Sequence, residues 1–454
     1  MEKNKIIILI FSLALLSGFF WNYPMFGQPV SSDQVLYEEV AQNILSGKGF
    51  AYNGKDAGIE PVYPLFLAGV YKVFGHNYDV VRIIQIVLFA LSIVFVYLLS
   101  GKIFGFKIAI WSSLITTSFY GIANQAGSLT TETFFIFLLM IFVWFLYKAS
   151  HENKYKWFAA SGISLGLATL TRGIIQYFFI VAVINFFIVF YKKISLKEVS
   201  FKIGVFIISF FIILTPWLLM ERLIGGVGMA VVPKAGGGLI ARVEKMEKIY
   251  PNYAGHFVGH LFGYFFSEKL GLNAKYEDYR QVAATDARIA ELMKSGKSET
   301  EIDQILSAEA KDKILKAPQK YILISIIDFI SFNSPILPQK SNFQNTLEIH
   351  PMFAEGRHPE IPDWEKAAII LTVRGIWFLF LFFAVYGAAK SVKNPRRDGG
   401  ASWQKFGWIL LIIFYFNLAY SAIHAIPRYA LPIYPFYIML CVIGLMKFYE
   451  KIKS

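Results

Sequence analysis

Cysteine and charge are both scarce in this 454-residue chain. The single Cys441 lies in the last apolar run, so no internal disulfide can brace the molecule and packing in lipid has to do so. Charged residues make up 17% of the chain against 56% hydrophobic and 17% aromatic, which excludes a soluble protein. There is no H-E-x-x-H, no Cys/His cluster with zinc spacing and no G-x-x-x-x-G-K-[ST] loop. The glycines at 225–238 follow no strand and do not make a nucleotide fingerprint. No internal or inverted repeat is visible, which counts against a transporter. The net charge of +13 invites a nucleic-acid partner, but the basic residues sit in short loops between apolar runs, where membrane topology accounts for them.

What is present reads as an all-α polytopic membrane protein. The apolar runs are Ile6 to Phe20, Val81 to Leu99, Ile108 to Ile122, Phe134 to Tyr147, Trp157 to Leu170, Ile174 to Tyr191, Ile203 to Met220, Ala367 to Ala389, Phe406 to Ile423 and Ile433 to Met446. That pattern predicts a bundle of about 10–12 transmembrane helices. The first run follows Lys3 and Lys5 but precedes Trp21-Asn22-Tyr23-Pro24, with no small-residue cleavage pattern, and is read as a retained span. Lys102 and Lys107, Lys148 with Lys154 and Lys156, Lys192 with Lys193 and Lys197, Lys393 with Arg396 and Arg397, and Lys447 with Lys451 and Lys453 then fall on one side. Positive-inside ordering places both termini in the cytoplasm.

Two large loops fall on the other side. In the first, residues 24–80, Ser31 or Ser32 can cap a helix that opens with Asp33, with Gln34 reaching back to Ser31. Leu36, Val40 and Ile44 recur every fourth position and suit a membrane surface. The stretch Glu60 to Tyr71 starts at prolines and is too short to cross, so it predicts a surface or half-inserted helix. The second loop, 221–364, opens glycine-rich as a candidate lid, continues as helix over Tyr276 to Lys316, and ends in a short apolar stretch, Tyr321 to Phe332. The expected organisation is a transmembrane module 1–220, a helical extracytoplasmic subdomain 221–364 and C-terminal spans 365–454.

Ionisable residues gather at the outer ends of the apolar runs: Asp33, Glu60, Arg82, Glu132, Arg172, Arg374, His424 and Arg428. Such groups are costly near a membrane core, and several at one depth point to a site. Each also has a plainer explanation, Asp33 and Glu132 as N-terminal helix acids and Arg82 and Arg172 as headgroup anchors. Arg374 lies about 10 Å inside its helix, deeper than an anchor needs, and suits a buried partner for a carboxylate. Arg428, between Pro427 and Pro432, presents a fixed guanidinium suited to bidentate phosphate binding.

The succession of Asp33, Tyr37-Glu38-Glu39-Val40-Ala41, Pro61-Val62-Tyr63-Pro64-Leu65-Phe66, Leu129-Thr130-Thr131-Glu132-Thr133, Leu170-Thr171-Arg172 and Pro427-Arg428-Tyr429-Ala430-Leu431-Pro432 resembles the GT-C glycosyltransferases. Within them it is most similar to the protein O-mannosyltransferase and aminoarabinose transferase group, the family-39-like enzymes that use polyprenyl-phosphate sugars. The chain departs from that pattern at Gln34, where the family often has a second acid, and at Glu60, where it often has a base. The resemblance implies transfer of a sugar, with inversion, from a polyprenyl-phosphate donor to a hydroxyl on a protein, lipid or glycan at the outer face of the cell membrane. Asp33 is then the expected base, and Arg428, Arg172, Arg374 and Arg82 the expected ligands of the donor phosphate. Glu132, Glu60, Tyr63, His424 and Tyr429 are expected to support them. No metal ligand set is assigned and no nucleic-acid partner is expected; a multi-pass transporter or lipid flippase is the rival class.

Overall fold

A computed structural model describes residues 3–191, 193–223, 235–275, 283–335, 362–393, 403–423 and 425–453. Among these, eight helices are long and apolar enough to cross a bilayer: Asn4–Met25, Tyr78–Ile103, Thr131–Glu152, Gly173–Phe190, Leu196–Met220, Asp363–Ser391, Phe406–Ile423 and Pro427–Lys453. The chain is a multi-pass membrane protein whose described residues are almost wholly helical.

Two expected spans fall short. The run Ile108 to Ile122 forms a helix only over Phe106–Ser118, about 20 Å long. Phe119 is extended, and the chain resumes as the short helix Tyr120–Ala123 and a 3-10 turn, Asn124–Gly127. The run Trp157 to Leu170 forms the helix Tyr155–Thr169, about 22 Å long, before the chain turns at Leu170–Arg172. A bilayer core is ~30 Å thick, so both helices yield to irregular backbone at the end where the ionisable residues collect. Non-helical backbone at that depth is tolerated where it is buried in protein or lines a cavity.

One large core unites the long helices, with Phe89, Phe135, Phe142, Phe158, Phe186 and Trp408 fully buried. Close crossings use glycine. Gly162 and Gly166 of the 155–169 helix lie against the backbone and side chains of Phe206 to Ile213. Gly387 and Gly444 bring the Asp363–Lys393 and Tyr434–Lys453 helices into backbone contact at Leu440 and Phe383. A Cβ at either would meet a carbonyl, which is the small-residue packing of membrane helices.

After the first helix, α1 (Lys3–Asn22), a thin layer from the first loop lies over one end of the bundle. Helix α2 (Asp33–Leu45) and helix α3 (Val62–Phe74) share a small core of Ala41, Tyr63, Leu67, Ala68, Tyr71, Val81 and Leu129. Thus Val40 and Ile44, two of the three residues whose spacing suits a membrane surface, turn toward protein instead. The two strands β1 (Ala51–Tyr52) and β2 (Lys55–Asp56) form a hairpin between these helices, turning at Asn53-Gly54, both at positive φ. That dipeptide is the preferred two-residue hairpin turn.

The second loop makes a further helical layer with its own core of Val243, Met246, Ile249, Leu306, Ala310, Ile324 and Ile327. Its described helices are Ala235–Ile249, Tyr253–Phe262, Tyr264–Lys269, Ala283–Lys294, Glu299–Lys316 and Pro318–Phe332. The last three fall within the expected helical stretch Tyr276 to Lys316 and the apolar Tyr321 to Phe332; residues 276–282 of that stretch lie outside the described residues, and the chain leaves the helix at 295–298. Of the candidate lid, Gly225, Gly226 and Gly228 lie outside the described residues, whereas Gly236, Gly237 and Gly238 begin the first of these helices.

The glycine contacts predict a selective effect. Gly387→Ala should destabilise the protein by about 1–3 kcal/mol, through overpacking against Leu440. Gly69, where an added Cβ meets nothing within 4 Å, is the control. Thermal unfolding in detergent should separate the two, and an unchanged Gly387→Ala would show that the helices do not cross at this point.

Candidate active site

Five loop segments far apart in sequence meet beneath the α2–α3 layer, and hydrogen bonds tie them together. Val62 N donates to Leu170 O at 3.0 Å, and Gly173 N donates to Glu60 Oε1 at 2.5 Å. Leu129 N donates to Gln34 Oε1 at 2.9 Å. The α2 start differs from the expected cap: Ser32 sits at φ 56° with no side-chain capping bond, and Gln34 reaches both the Ser31 carbonyl and Leu129. Gln34, at the position of the family's second acid, is therefore a strut between the first loop and the segment that carries Glu132.

On this frame four charged residues form one chain. Arg428 Nη2 donates to Asp33 Oδ2 at 2.6 Å, and Arg428 Nε lies 3.1 Å from Glu132 Oε1. Arg172 Nη1 lies 3.2 Å from the same Glu132 oxygen. The guanidinium of Arg172 also lies 4.9 Å over the ring of Tyr429, which stacks on Tyr420 at 5.1 Å. Exposure falls from the outer pair to the inner pair: the side chains are 52% exposed at Asp33 and 35% at Arg428, against 13% at Arg172 and 2% at Glu132. Two carboxylates balance two guanidiniums, so the buried end carries little net charge while Asp33 faces an approaching molecule. A buried carboxylate is tolerable only when paired in this way.

Local electrostatics follow burial. Burial opposes the charge on Arg172, but Tyr420 and Glu132 oppose its loss more, and its proton is held more tightly than usual. Burial pushes the Glu60 carboxyl up, and the Gly173 amide only partly offsets this.

Of the remaining expected site residues, Arg82, Tyr63 and Arg374 stand apart from this chain. Arg82 is a correction to its expected role at the donor phosphate, because each of its nitrogens is already engaged. Nε donates to Gly127 O at 3.2 Å, Nη2 to Gln28 O at 2.8 Å and Nη1 to Asp79 Oδ1 at 2.6 Å. It therefore props the segments leading to Asp33 and Glu132. Tyr63 donates to Gln85 at 2.9 Å, and Gln85 donates to Ala126 O at 3.2 Å and Ser128 O at 2.8 Å. Arg374 is buried and donates to Ser334 Oγ at 3.2 Å, and no carboxylate pairs with it among the described residues. His424 lies outside the described residues.

Gln85 and Asn22 escaped the sequence reading. Asn22 accepts from Gly127 N and donates to Ala123 O, both at 2.8 Å. A polar amide inside an apolar helix, one turn from Arg82 in the case of Gln85, was the signal available.

Comparison with known proteins agrees with this architecture. Residues 57–219 match the family model described as Dolichyl-phosphate-mannose-protein mannosyltransferase. That interval holds Glu60, Tyr63, Arg82, Glu132 and Arg172, whereas Asp33, Arg374 and Arg428 lie outside it. An uncharacterized protein of Aquifex aeolicus is 29% identical over 234 residues, 49% of this chain and 45% of its own length. The oligosaccharyltransferase AglB of Archaeoglobus fulgidus, solved with an inhibitory peptide and a dolichol-phosphate, superposes with a TM-score of 0.54. It is 12% identical over 99% of this chain and 51% of its own. The oligosaccharyltransferase of the same organism tethered to an acceptor peptide gives 0.52 at 13% identity, over 99% of this chain and 50% of its own. The chain thus spans about half the length of these relatives. Its fold is that of these two oligosaccharyltransferase structures, and over residues 57–219 the expected resemblance to the mannosyltransferase group is matched by the family model.

The Glu60 carboxyl makes a stability prediction. A raised folded value means that its contribution is fully present below the ordinary glutamate range and is lost as pH rises through the folded value. Glu60→Gln keeps an acceptor for Gly173 and carries no charge, so its melting temperature should gain on wild type as pH rises. Parallel curves at every pH would remove the buried acid from the account.

Proposed function

We propose that this chain is a glycosyltransferase that moves a sugar from a polyprenyl-phosphate donor to a hydroxyl acceptor on the outer face of the cell membrane. The Asp33–Arg428–Glu132–Arg172 chain of charges is the observation that carries the reading. It places one exposed carboxylate beside a guanidinium that is itself anchored on a buried acid. The family model over 57–219, named for a dolichyl-phosphate-mannose donor, and the dolichol-phosphate bound to the AglB structure both support a lipid-phosphate donor.

The chemistry follows from these roles. Asp33 takes the proton of the acceptor hydroxyl as its oxygen attacks the anomeric carbon. The bond from that carbon to the phosphate oxygen breaks on the opposite face, the electron pair leaves with the lipid phosphate, and the configuration inverts. The phosphate leaves carrying its charge and needs a fixed cation more than it needs a proton. Arg428 supplies that cation, with Glu132 holding its Nε side and Arg172 neutralising Glu132. Asp33 pairs with the guanidinium face that a phosphate would take. Donor binding at Arg428 therefore releases Asp33 to the acceptor, which couples the arrival of one substrate to readiness for the other.

Two substitutions test this with labelled polyprenyl-phosphate sugars. Asp33→Asn should lower transfer by about 10²–10⁴-fold, the usual size of a lost general base, while donor binding persists. Arg428→Ala should weaken donor binding by about 10–150-fold, the worth of a charge-assisted hydrogen bond. Near-normal turnover in the first or unchanged donor affinity in the second would refute the assignment concerned.

A further inference from the structure

The helical layer of residues 235–332 grips the bundle at the end of the helix Trp403–Ile423. The last carbonyls of a helix lack donors of their own and carry the negative end of its dipole. Here three consecutive carbonyls are met by side chains from that layer. Arg242 Nη2 donates to Ser421 O at 2.6 Å and Nη1 to Ile423 O at 3.1 Å, and the Tyr321 hydroxyl donates to Ala422 O between them.

Arg242 is itself held on several sides. Its Nη1 pairs with Asp328, its Nη2 donates to Ser325 Oγ at 2.7 Å, and its guanidinium lies 4.8 Å over the Tyr321 ring. Lys245 Nζ lies 3.2 Å from the other Asp328 oxygen. The side chains of Arg242 and Asp328 are 1% and 0% exposed, so water cannot replace either partner.

Arg428 follows Ile423 by five residues, a tether of at most about 18 Å when fully drawn out. Past residue 424 the tether is held. Ala425 and Pro427 are buried, and Tyr429 N donates to Ile426 O at 3.0 Å. We propose that Arg242, Tyr321 and Asp328 form a latch that positions Arg428 against Asp33 and Glu132, by fixing the helix end from which the Arg428 turn departs. The latch touches no reacting atom; its members are positioning residues. Through it, docking of the 235–332 layer sets whether the guanidinium is in place. The functional part of this inference rests on the reading of Arg428 as the donor-phosphate ligand.

The test uses the full chain in lipid nanodiscs, with Tyr321→Phe and Arg242→Met. Tyr321→Phe removes one hydroxyl and nothing else, so it guards against a fold failure in Arg242→Met. Hydrogen exchange over residues 425–433 reads the latch without reference to activity. It should quicken about tenfold in both variants, the equivalent of one lost hydrogen bond, while exchange in the Tyr78–Ile103 helix stays at the wild-type rate. Unchanged exchange over 425–433 in Tyr321→Phe would overturn the latch. In transfer assays Tyr321→Phe should raise the donor KM about 3–10-fold, with a smaller effect on kcat, and should have no further effect in an Arg428→Ala background. Additive losses would overturn the link to Arg428. Were wild-type protein to transfer no sugar from any polyprenyl-phosphate donor, the functional reading would fail alone, and the exchange data would still decide the latch.

Discussion

Everything at the loop end of this bundle depends on one oxygen, Glu132 Oε1, which faces both Arg428 and Arg172. A carboxylate at 2% exposure has no solvent to screen it, and an uncompensated charge there would cost several kcal/mol. Two guanidiniums more than neutralise it, and the surplus is balanced by Asp33 at the open end. The order of burial sets the division of labour: the inner pair holds, and the outer pair is accessible to a ligand. Removing Glu132 would leave two neighbouring guanidiniums facing each other across a gap.

The backbone serves that arrangement. Helices of 13 and 15 residues stop short where continuous spans would have carried their polar ends past the site. The segments that follow them are pinned by side chains in place of helical hydrogen bonds: Arg82, Gln85 and Asn22 hold 123–128, and Glu60 holds Gly173. Each is buried or half-buried, and each satisfies a backbone group that lipid could not. Arg82 illustrates how a charged residue near a span end can be structural without being either a headgroup anchor or a ligand for substrate. The Arg242 latch repeats the device at the Trp403–Ile423 helix end.

The resemblance to GT-C enzymes rests on order and topology more than on any single motif, and the structure explains why. The family model spans the helices that mount Glu132 and Arg172, while Asp33 and Arg428 reach the same place from outside it. A site assembled from five loops places few demands on residues adjacent in sequence. Gln34 shows the tolerance this allows: at the position of a second acid it links loops by accepting from Leu129.

From residues alone, the membrane class, most of the spans, the α2 and α3 helices and the members of the charged group were legible, because apolar run length and the cost of charge in lipid act locally along the chain. Composition could not tell Arg82, which braces backbone, from Arg428, which meets Asp33, since both are arginines at the end of an apolar run. Nor could spacing show that α2 packs onto α3, or that Glu132 would be shared by two guanidiniums from loops more than two hundred residues apart. Those outcomes depend on which side chain arrives opposite which backbone carbonyl or carboxylate, and only the folded chain brings the partners within hydrogen-bonding range.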